Sequence, residues 1–255
     1  METEFLGVPN VDGLIFLGLT LTALCAAFIT AVIGSAGGLL LLGVLALVFP
    51  PTVLIPLHTV VMLGDNVSRV AIMWRHIFRA ALFPFFVGAA LGAIAGGQIF
   101  MTLPTATLQV ILGVSIIVFT WMPKIASSRS LGSRFGLVGF IATFIGIFVS
   151  AVGALVGPFI AAACTDRREV ISTFSAVMGL IHLWKLIAFG LLGVTLAPYL
   201  PLMVAMVTTA AIGNLAGSRV LNKIPESAFR SIFRVVLTAL AIRILWLAGK
   251  NGGLF

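Results

Sequence analysis

The stretch IGSAGG, residues 33–38, decides how this chain is organised. It interrupts an apolar segment that runs from about residue 14 to residue 49. A single helix needs only about 20 residues to cross a bilayer, so this segment is too long for one crossing and cramped for two. Glycine destabilises a helix interior and lets backbones approach each other closely. We therefore expect residues 14–49 to form a helical hairpin whose tip lies inside the membrane or near its far side.

A second apolar segment, residues 135–164, is interrupted in the same way by VSAVGALVGP at 149–158. Glycine and proline again favour a break in the helix. The other apolar segments each fit one crossing; they cover residues 52–74, 80–101, 106–122, 170–193, 196–217 and 228–248. The sequence therefore predicts an all-α polytopic membrane protein in which each half is a hairpin followed by three transmembrane helices. The predicted parts are a first repeat at 1–123, a cytoplasmic linker at 124–134 and a second repeat at 135–255.

The composition excludes an ordinary water-soluble domain, because 61% of the 255 residues are hydrophobic and only 9% are charged. The net charge of +8 comes largely from basic residues in short loops, so it indicates membrane topology rather than nucleic-acid binding. Cys25 and Cys164 lie in apolar segments without metal-ligand spacing. The acidic start METEFLGVPN lacks the basic region of a signal peptide. We therefore expect no cleaved leader, disulfide, metal, cofactor or nucleic-acid partner.

The positions of the basic loops indicate how the two halves are oriented. Basic residues gather at 75–79, 124–134, 165–169 and 219–234, and such loops face the cytoplasm. These loops all reach one side only if residues 135–164 enter the membrane and return. The basic loop of the first half corresponds to an uncharged link in the second half, and the reverse also holds. This pattern predicts two repeats inserted upside down relative to each other, an arrangement typical of secondary transporters.

Three motifs carry a resemblance to a known family. They are Gly34–Gly38 in the first hairpin, Gly153–Pro158 in the second, and FPPTVLIPLHTVV at 49–61 in the link to the next helix. With one glycine-rich hairpin in each half, the chain resembles the sulfite exporter TauE/SafE family over nearly its whole length. The resemblance implies a multi-pass carrier in the cell (inner or plasma) membrane. It also implies an organosulfur anion such as sulfite, a sulfonate or sulfoacetate as the substrate.

Polar residues within the spans form two similar pairs. Asn66 and Arg69 are three residues apart in the first half, as are His182 and Lys185 in the second. That spacing puts both members of a pair on one face of a helix. Asp65, four residues before Arg69, is placed to form an ion pair with it or to carry a coupling proton. One acid against two cations leaves a net positive charge, which predicts a central site for a small anion.

Further donors are expected near the two hairpin tips. Half-helices beginning at about 38 and 154 would present unpaired amide N–H groups and the positive ends of their dipoles to an anion. The complete predicted substrate site comprises Asn66, Arg69, His182, Lys185, Gly37, Gly38, Gly157, Ser35, Ser150, Thr59 and Thr173, with Asp65 as a coupling or ion-pair residue.

Each feature also has a plainer explanation. Arg69 and Lys185 could extend their charged ends towards the headgroups. His58, near the start of its segment, is interpreted as an interfacial residue. The glycines at 92–97 and 213–217 are interpreted as sites of close helix packing.

Three classes of function remain open at this point: a secondary transporter of small organosulfur anions, an anion channel and an intramembrane enzyme. The chain has no GxSxG, HExxH or P-loop motif, so we expect no catalytic residues and no ATP hydrolysis. The expected partners are a small anion and the lipid bilayer, with a homodimer left open.

Overall fold

A computed structural model describes residues 4–33, 37–122, 134–150, 152–220 and 226–251. The described residues are almost entirely helical and contain ten α-helices. In chain order these are α1 (Gly13–Ile33), α2 (Gly37–Val48), α3 (Pro51–Met73), α4 (Leu82–Thr102), α5 (Thr105–Trp121), α6 (Phe135–Val149), α7 (Gly153–Ala163), α8 (Arg167–Leu191), α9 (Leu200–Val220) and α10 (Glu226–Asn251). The prediction of an all-α protein is confirmed.

The two long apolar segments are each broken into two helices, as the small residues predict. The first gives α1 with 21 residues and α2 with 12, and the second gives α6 with 15 and α7 with 11. The break after α6 is sharp because Ser150 adopts a left-handed conformation with φ 65°, while its N–H donates to the Gly146 carbonyl. Such a conformation is unusual for a residue with a Cβ atom.

Within the described part of the chain, four stretches of helix are long and apolar enough to cross a membrane: Gly13–Val32, Arg79–Thr102, Arg168–Leu191 and Ala197–Val220. Pro51–Met73 has sufficient length, with 23 residues, but its polar side chains make it less apolar. It packs between other helices, and its residues Asp65, Asn66 and Arg69 are buried. A polar helix placed at the centre of a bundle is typical of proteins with an intramembrane site.

Glycines set the closest helix contacts. Gly88 of α4 lies against Gly136 of α6, and Gly92 lies against Phe140, so the two helices run parallel with their backbones in contact. On the other side of the bundle, Gly213 and Gly217 of α9 lie against the backbone of α1 in the same parallel sense. A Cβ atom at any of these four glycines would collide with a neighbouring carbonyl. The interpretation of residues 92–97 and 213–217 as packing glycines is therefore confirmed.

Two pairs of helices, each with one helix before and one after residue 124, run antiparallel. Contacts between α3 and α8 pair His58 with His182 and Asn66 with Gly179, and in the turn after α3 His76 pairs with Ser172. Residue numbers thus rise along α3 as they fall along α8. Helices α5 and α10 also run antiparallel, because Gly113 packs on Leu245 and Trp121 bonds Thr238.

Several basic residues lie in turns at one end of the bundle. The turn Trp74–His76 packs on the start of α8, where Ser172 donates to the His76 carbonyl at 2.7 Å. Arg75 and Arg79 therefore lie at the same end as Arg168. Asp166 caps α8 there, and the N–H groups of Glu169 and Arg168 lower the pKa of its carboxyl. Lys124, Arg129 and Lys223, which also entered the topology prediction, lie outside the described residues.

Candidate functional site

His58 connects the two helix breaks. Its Nε2 lies 2.9 Å from the carbonyl oxygen of Gly38, at the start of α2, and its Nδ1 lies 2.9 Å from the hydroxyl of Ser150, at the end of α6. The side chain is fully buried, with 0% exposure. The interpretation of His58 as an interfacial residue is therefore wrong. The residue lies where the two broken segments meet.

The hydrogen bonds around His58 have one consistent direction. A carbonyl can only accept, so His58 Nε2 carries the hydrogen that it donates to Gly38. In the neutral ring, Nδ1 then accepts from the Ser150 hydroxyl. The Ser150 oxygen in turn accepts from the ammonium of Lys185 at 2.8 Å. The chain Lys185 to Ser150 to His58 to Gly38 therefore links α8, both breaks and α3 in one network.

Lys185 is a buried cation without a carboxylate partner among the described residues. Its exposure is 0%, which excludes an extended side chain that reaches the headgroups. The bond to Ser150 uses one of its three N–H donors. Asp65, a buried carboxylate on α3, is paired with Arg69 instead. Burying an unpaired ammonium costs roughly several kcal/mol of desolvation free energy. An anion bound nearby would offset this cost.

His182 lies beside this network with its hydrogen-bonding capacity unused. Its ring is fully buried, and neither Nδ1 nor Nε2 has a partner in the described part of the chain. The ring centroids of His182 and His58 are 6.3 Å apart. Lys185 follows one turn later on the same face of α8. The central cluster, which we define as His58, Ser150, His182 and Lys185, thus presents free donors and acceptors at one place.

Asp65 and Arg69 form a second cluster, displaced along α3 from His58. They make a buried ion pair one helical turn apart. Asn214 of α9 donates to the Asp65 carboxylate at 2.7 Å and to the Ser68 hydroxyl at 2.9 Å. Arg69 does not extend to the headgroups, because its exposure is 8%. Its charge is compensated locally by Asp65, while its Nε has no described partner.

A small cavity lies beside Asp65 and the start of α2. Its volume is about 10 Å³, enough for about one water molecule, and its lining includes Gly38, Asp65 and Thr30. Gly38 also accepts the His58 hydrogen bond. The cavity therefore adjoins both Asp65 and Gly38, the residue to which His58 of the central cluster donates its hydrogen bond.

The remaining predicted residues are distributed more widely. Asn66 donates back to the Met62 carbonyl and faces Gly179 of α8, and Thr59 donates to the Ile55 carbonyl. Thr173 accepts from the Phe78 N–H at the basic end of the bundle, about 18 Å along α8 from Lys185. Ser35 lies outside the described residues.

The two remaining glycines have different surroundings. Gly37 begins α2 and packs against the backbone of α1. Gly157 lies in the second turn of α7, beyond the first N–H groups of the helix, and the nearest described atom to its Cβ position, of Phe174, is 3.9 Å away. Gly157 is therefore not at the helix N-terminus where an anion was expected.

Two residues in these clusters are not among the site residues predicted from the sequence. His58 lies about 10 Å from the start of α3 at Pro51, so its depth was a usable signal. Asn214 is an amide within the apolar span of α9, which is itself a mark of an intramembrane contact.

The membrane-length helices, the two broken segments and the buried polar clusters define a polytopic membrane protein with polar groups buried between its helices. The family model described as "Sulfite exporter TauE/SafE" matches residues 19–244, and the chain belongs to this family of membrane transporters. No curated protein and no solved structure matches it.

Proposed function

We propose that the protein is a secondary transporter that moves a small organosulfur anion, of the sulfite, sulfonate or sulfoacetate type, across the cytoplasmic membrane. The anion binds at mid-membrane in the central cluster, between the two repeats. Lys185 supplies the charge and, with His182, directional hydrogen bonds to the anion, whereas Ser150 and His58 hold Lys185 in position. The family membership supports membrane transport, and the central cluster supports the charge and position of the substrate.

The observation that carries this proposal is the fully buried ammonium of Lys185, which bonds Ser150 and has no carboxylate partner among the described residues. A bare cation in the membrane interior is costly. An oxyanion would accept hydrogen bonds from the remaining N–H donors of Lys185 and from the His182 ring. Arg69 contributes less than the sequence suggested, since Asp65 already compensates its charge.

We further propose that residues 1–123 and 135–255 are inverted repeats joined by a cytoplasmic linker. The antiparallel course of α3 against α8 and of α5 against α10 supports inversion, because these helices occupy equivalent places in the two halves. The helix contacts between the halves support it as well. Helix α4 of the first half packs on the first hairpin helix of the second half, α6, and α9 of the second half packs on the first hairpin helix of the first half, α1. In secondary transporters such a repeat interface holds the substrate near the midplane.

The test is counterflow in proteoliposomes loaded with unlabelled sulfite and exposed to a trace of labelled sulfite. A carrier accumulates the label transiently against its gradient, whereas a channel lets both sulfite pools equilibrate without such an overshoot. Lys185→Met should abolish the overshoot, and Lys250→Met, at the far end of α10, serves as the matched control. Counterflow at the parental rate in Lys185→Met would refute the proposed site.

A further inference from the structure

We infer that the central cluster binds its anion with a net charge of minus one, so that a divalent oxyanion enters only together with one proton, which His182 accepts. This inference rests on the proposed function, because it specifies the charge class of the anion at the same site. It follows from a count of charges and of free hydrogen-bonding atoms around His182.

Among the described residues around the central cluster, the charge available to the anion is a single positive charge. Lys185 has no described carboxylate partner, whereas Asp65 and Arg69 cancel each other in their ion pair. Helices α4, α6 and α7, which also pack around this region, contain no acidic or basic residue within their bounds. A monovalent anion therefore neutralises the cluster, and a divalent anion leaves one negative charge that is costly to bury.

His58 is poorly placed to supply the missing charge. Both of its nitrogens already have partners, with Nε2 donating to Gly38 and Nδ1 accepting from Ser150. A proton on Nδ1 would remove the acceptor for the Ser150 hydroxyl, whose oxygen already receives the Lys185 ammonium. Charging His58 would therefore require the network between the two helix breaks to rearrange.

His182 can take the proton without breaking any described hydrogen bond. Both of its ring nitrogens are unpartnered, so one of them is a free acceptor in the neutral form. Lys185, one turn away, repels a second positive charge while the site holds no anion. A divalent anion in contact with both side chains reverses that balance, and a proton from bulk water then binds the free imidazole nitrogen.

The other described titratable groups on elements packed against α8 are either paired or distant from His182. On α3 they are His58 and the paired Asp65 and Arg69. Arg75 and His76 lie on the exposed turn at the basic end of the bundle, beside Ser172. His76 is therefore a matched control, being an imidazole near the same helix but about 15 Å along α8 from His182, measured from Ser172.

The experiment uses two probes of similar shape and different charge, methanesulfonate with one negative charge and thiosulfate with two. Purified full-length protein in weakly buffered detergent solution is titrated with each probe while a pH indicator reports proton uptake. We expect about one proton taken up per thiosulfate bound and none for methanesulfonate. Thiosulfate affinity should correspondingly fall by up to about tenfold per pH unit as pH rises over the range in which binding takes up the proton, whereas methanesulfonate affinity stays level.

Variants identify the residue that accepts the proton. His182→Gln should eliminate the proton uptake that accompanies thiosulfate, while His76→Gln should keep it. Thiosulfate binding without proton uptake by the parent protein would overturn the inference and leave the proposed function standing. Proton uptake with methanesulfonate would overturn it too, because Lys185 would then be uncharged before binding. Failure of both probes to bind would overturn the inference and the proposed site together.

Discussion

The hydroxyl of Ser150 accepts a hydrogen bond from the ammonium of Lys185 at 2.8 Å, across the junction between α6, α7 and α8. Ser150 also terminates α6, with a φ of 65° that is rare for a residue other than glycine. The same residue therefore forms the helix break and contributes to the polar network. This dual role allows the backbone contribution and the hydroxyl contribution to be separated by substitution.

Ser150→Ala and Ser150→Gly both remove the hydroxyl, so both should weaken anion binding by about tenfold or more. This magnitude corresponds to the loss of a hydrogen bond to a charged group, about 1.5–3 kcal/mol. The two variants should differ in stability. Glycine adopts a left-handed conformation freely, whereas alanine there costs about 1–2 kcal/mol. Thermal melts in detergent and methanesulfonate titrations measure the two effects on the same samples.

Equal melting temperatures for the two Ser150 variants would show that the left-handed conformation carries no strain. Retained affinity in both would show that Lys185 does not depend on the hydroxyl to hold its position.

Gly37→Ala should strongly destabilise the protein, since its new Cβ would collide with the Ala26 carbonyl and the Thr30 side chain on α1. Backbone atoms cannot move aside as a flexible side chain can, so α2 would have to shift away from α1. Gly157→Ala is the control at the corresponding helix of the second half, where the nearest atom, of Phe174, is 3.9 Å away. Recovery of monodisperse protein from detergent, with melting temperature, compares the two. Equal yields and melting temperatures would contradict the described contact between α1 and α2.

Asp65→Asn should lower stability by about 3–5 kcal/mol, because it leaves the Arg69 guanidinium buried without a counter-charge. Asp65→Asn combined with Arg69→Met should recover much of that loss, since neither buried charge remains. The stability of the four proteins forms a double-mutant cycle, measured by thermal unfolding at one pH.

Transport by the recovered double variant separates two roles of Asp65. Sulfite counterflow near the parental rate would mean that the Asp65–Arg69 pair is structural. Folded protein without transport would mean that the pair takes part in coupling. Additive stability losses in the cycle would contradict the ion pair itself.

The helix breaks could be predicted from sequence because their cause is local. The glycines near 33–38 and 149–158 act on their own segment, and the apolar lengths on either side fix how much helix remains. The proposed ion pair between Asp65 and Arg69 was equally local, because it depends on the spacing of four along one helix. Both features are found in the structure.

The central cluster could be predicted only in part, because it depends on contacts between distant segments. The sequence placed His182 and Lys185 on one face, but the His58–Ser150 contact joins residues 92 positions apart. Asn214 similarly reaches Asp65 across 149 positions. Contacts between residues so far apart in sequence cannot be predicted from the periodicity of a single helix. An approximate symmetry between the halves suggested that Asn66 and Arg69 would meet His182 and Lys185, whereas the described hydrogen bonds join Arg69 to Asp65 and Lys185 to Ser150.

Single cysteines should report which ends of the bundle share a membrane face. In a background lacking Cys25 and Cys164, cysteines are placed at the exposed positions Ala80, Thr165, Thr105 and Thr195. Ala80 and Thr165 flank the basic turns that meet at the start of α8, so both should be cytoplasmic. Thr105 and Thr195 follow α4 and α8 respectively, whose far ends meet where Gly97 contacts Leu192, so both should face outward.

A membrane-impermeant maleimide applied to intact cells should therefore label Thr105→Cys and Thr195→Cys, and should label the other two only after the membrane is opened. The decisive pair is Ala80 and Thr165. If residues 135–164 crossed the membrane once, Thr165 would lie on the face opposite to Arg134, whereas a broken segment that returns keeps both on one face. Labelling of Ala80→Cys and Thr165→Cys from opposite sides would refute the returning segment. The proposed inversion of the repeats would then lose the topology on which it depends.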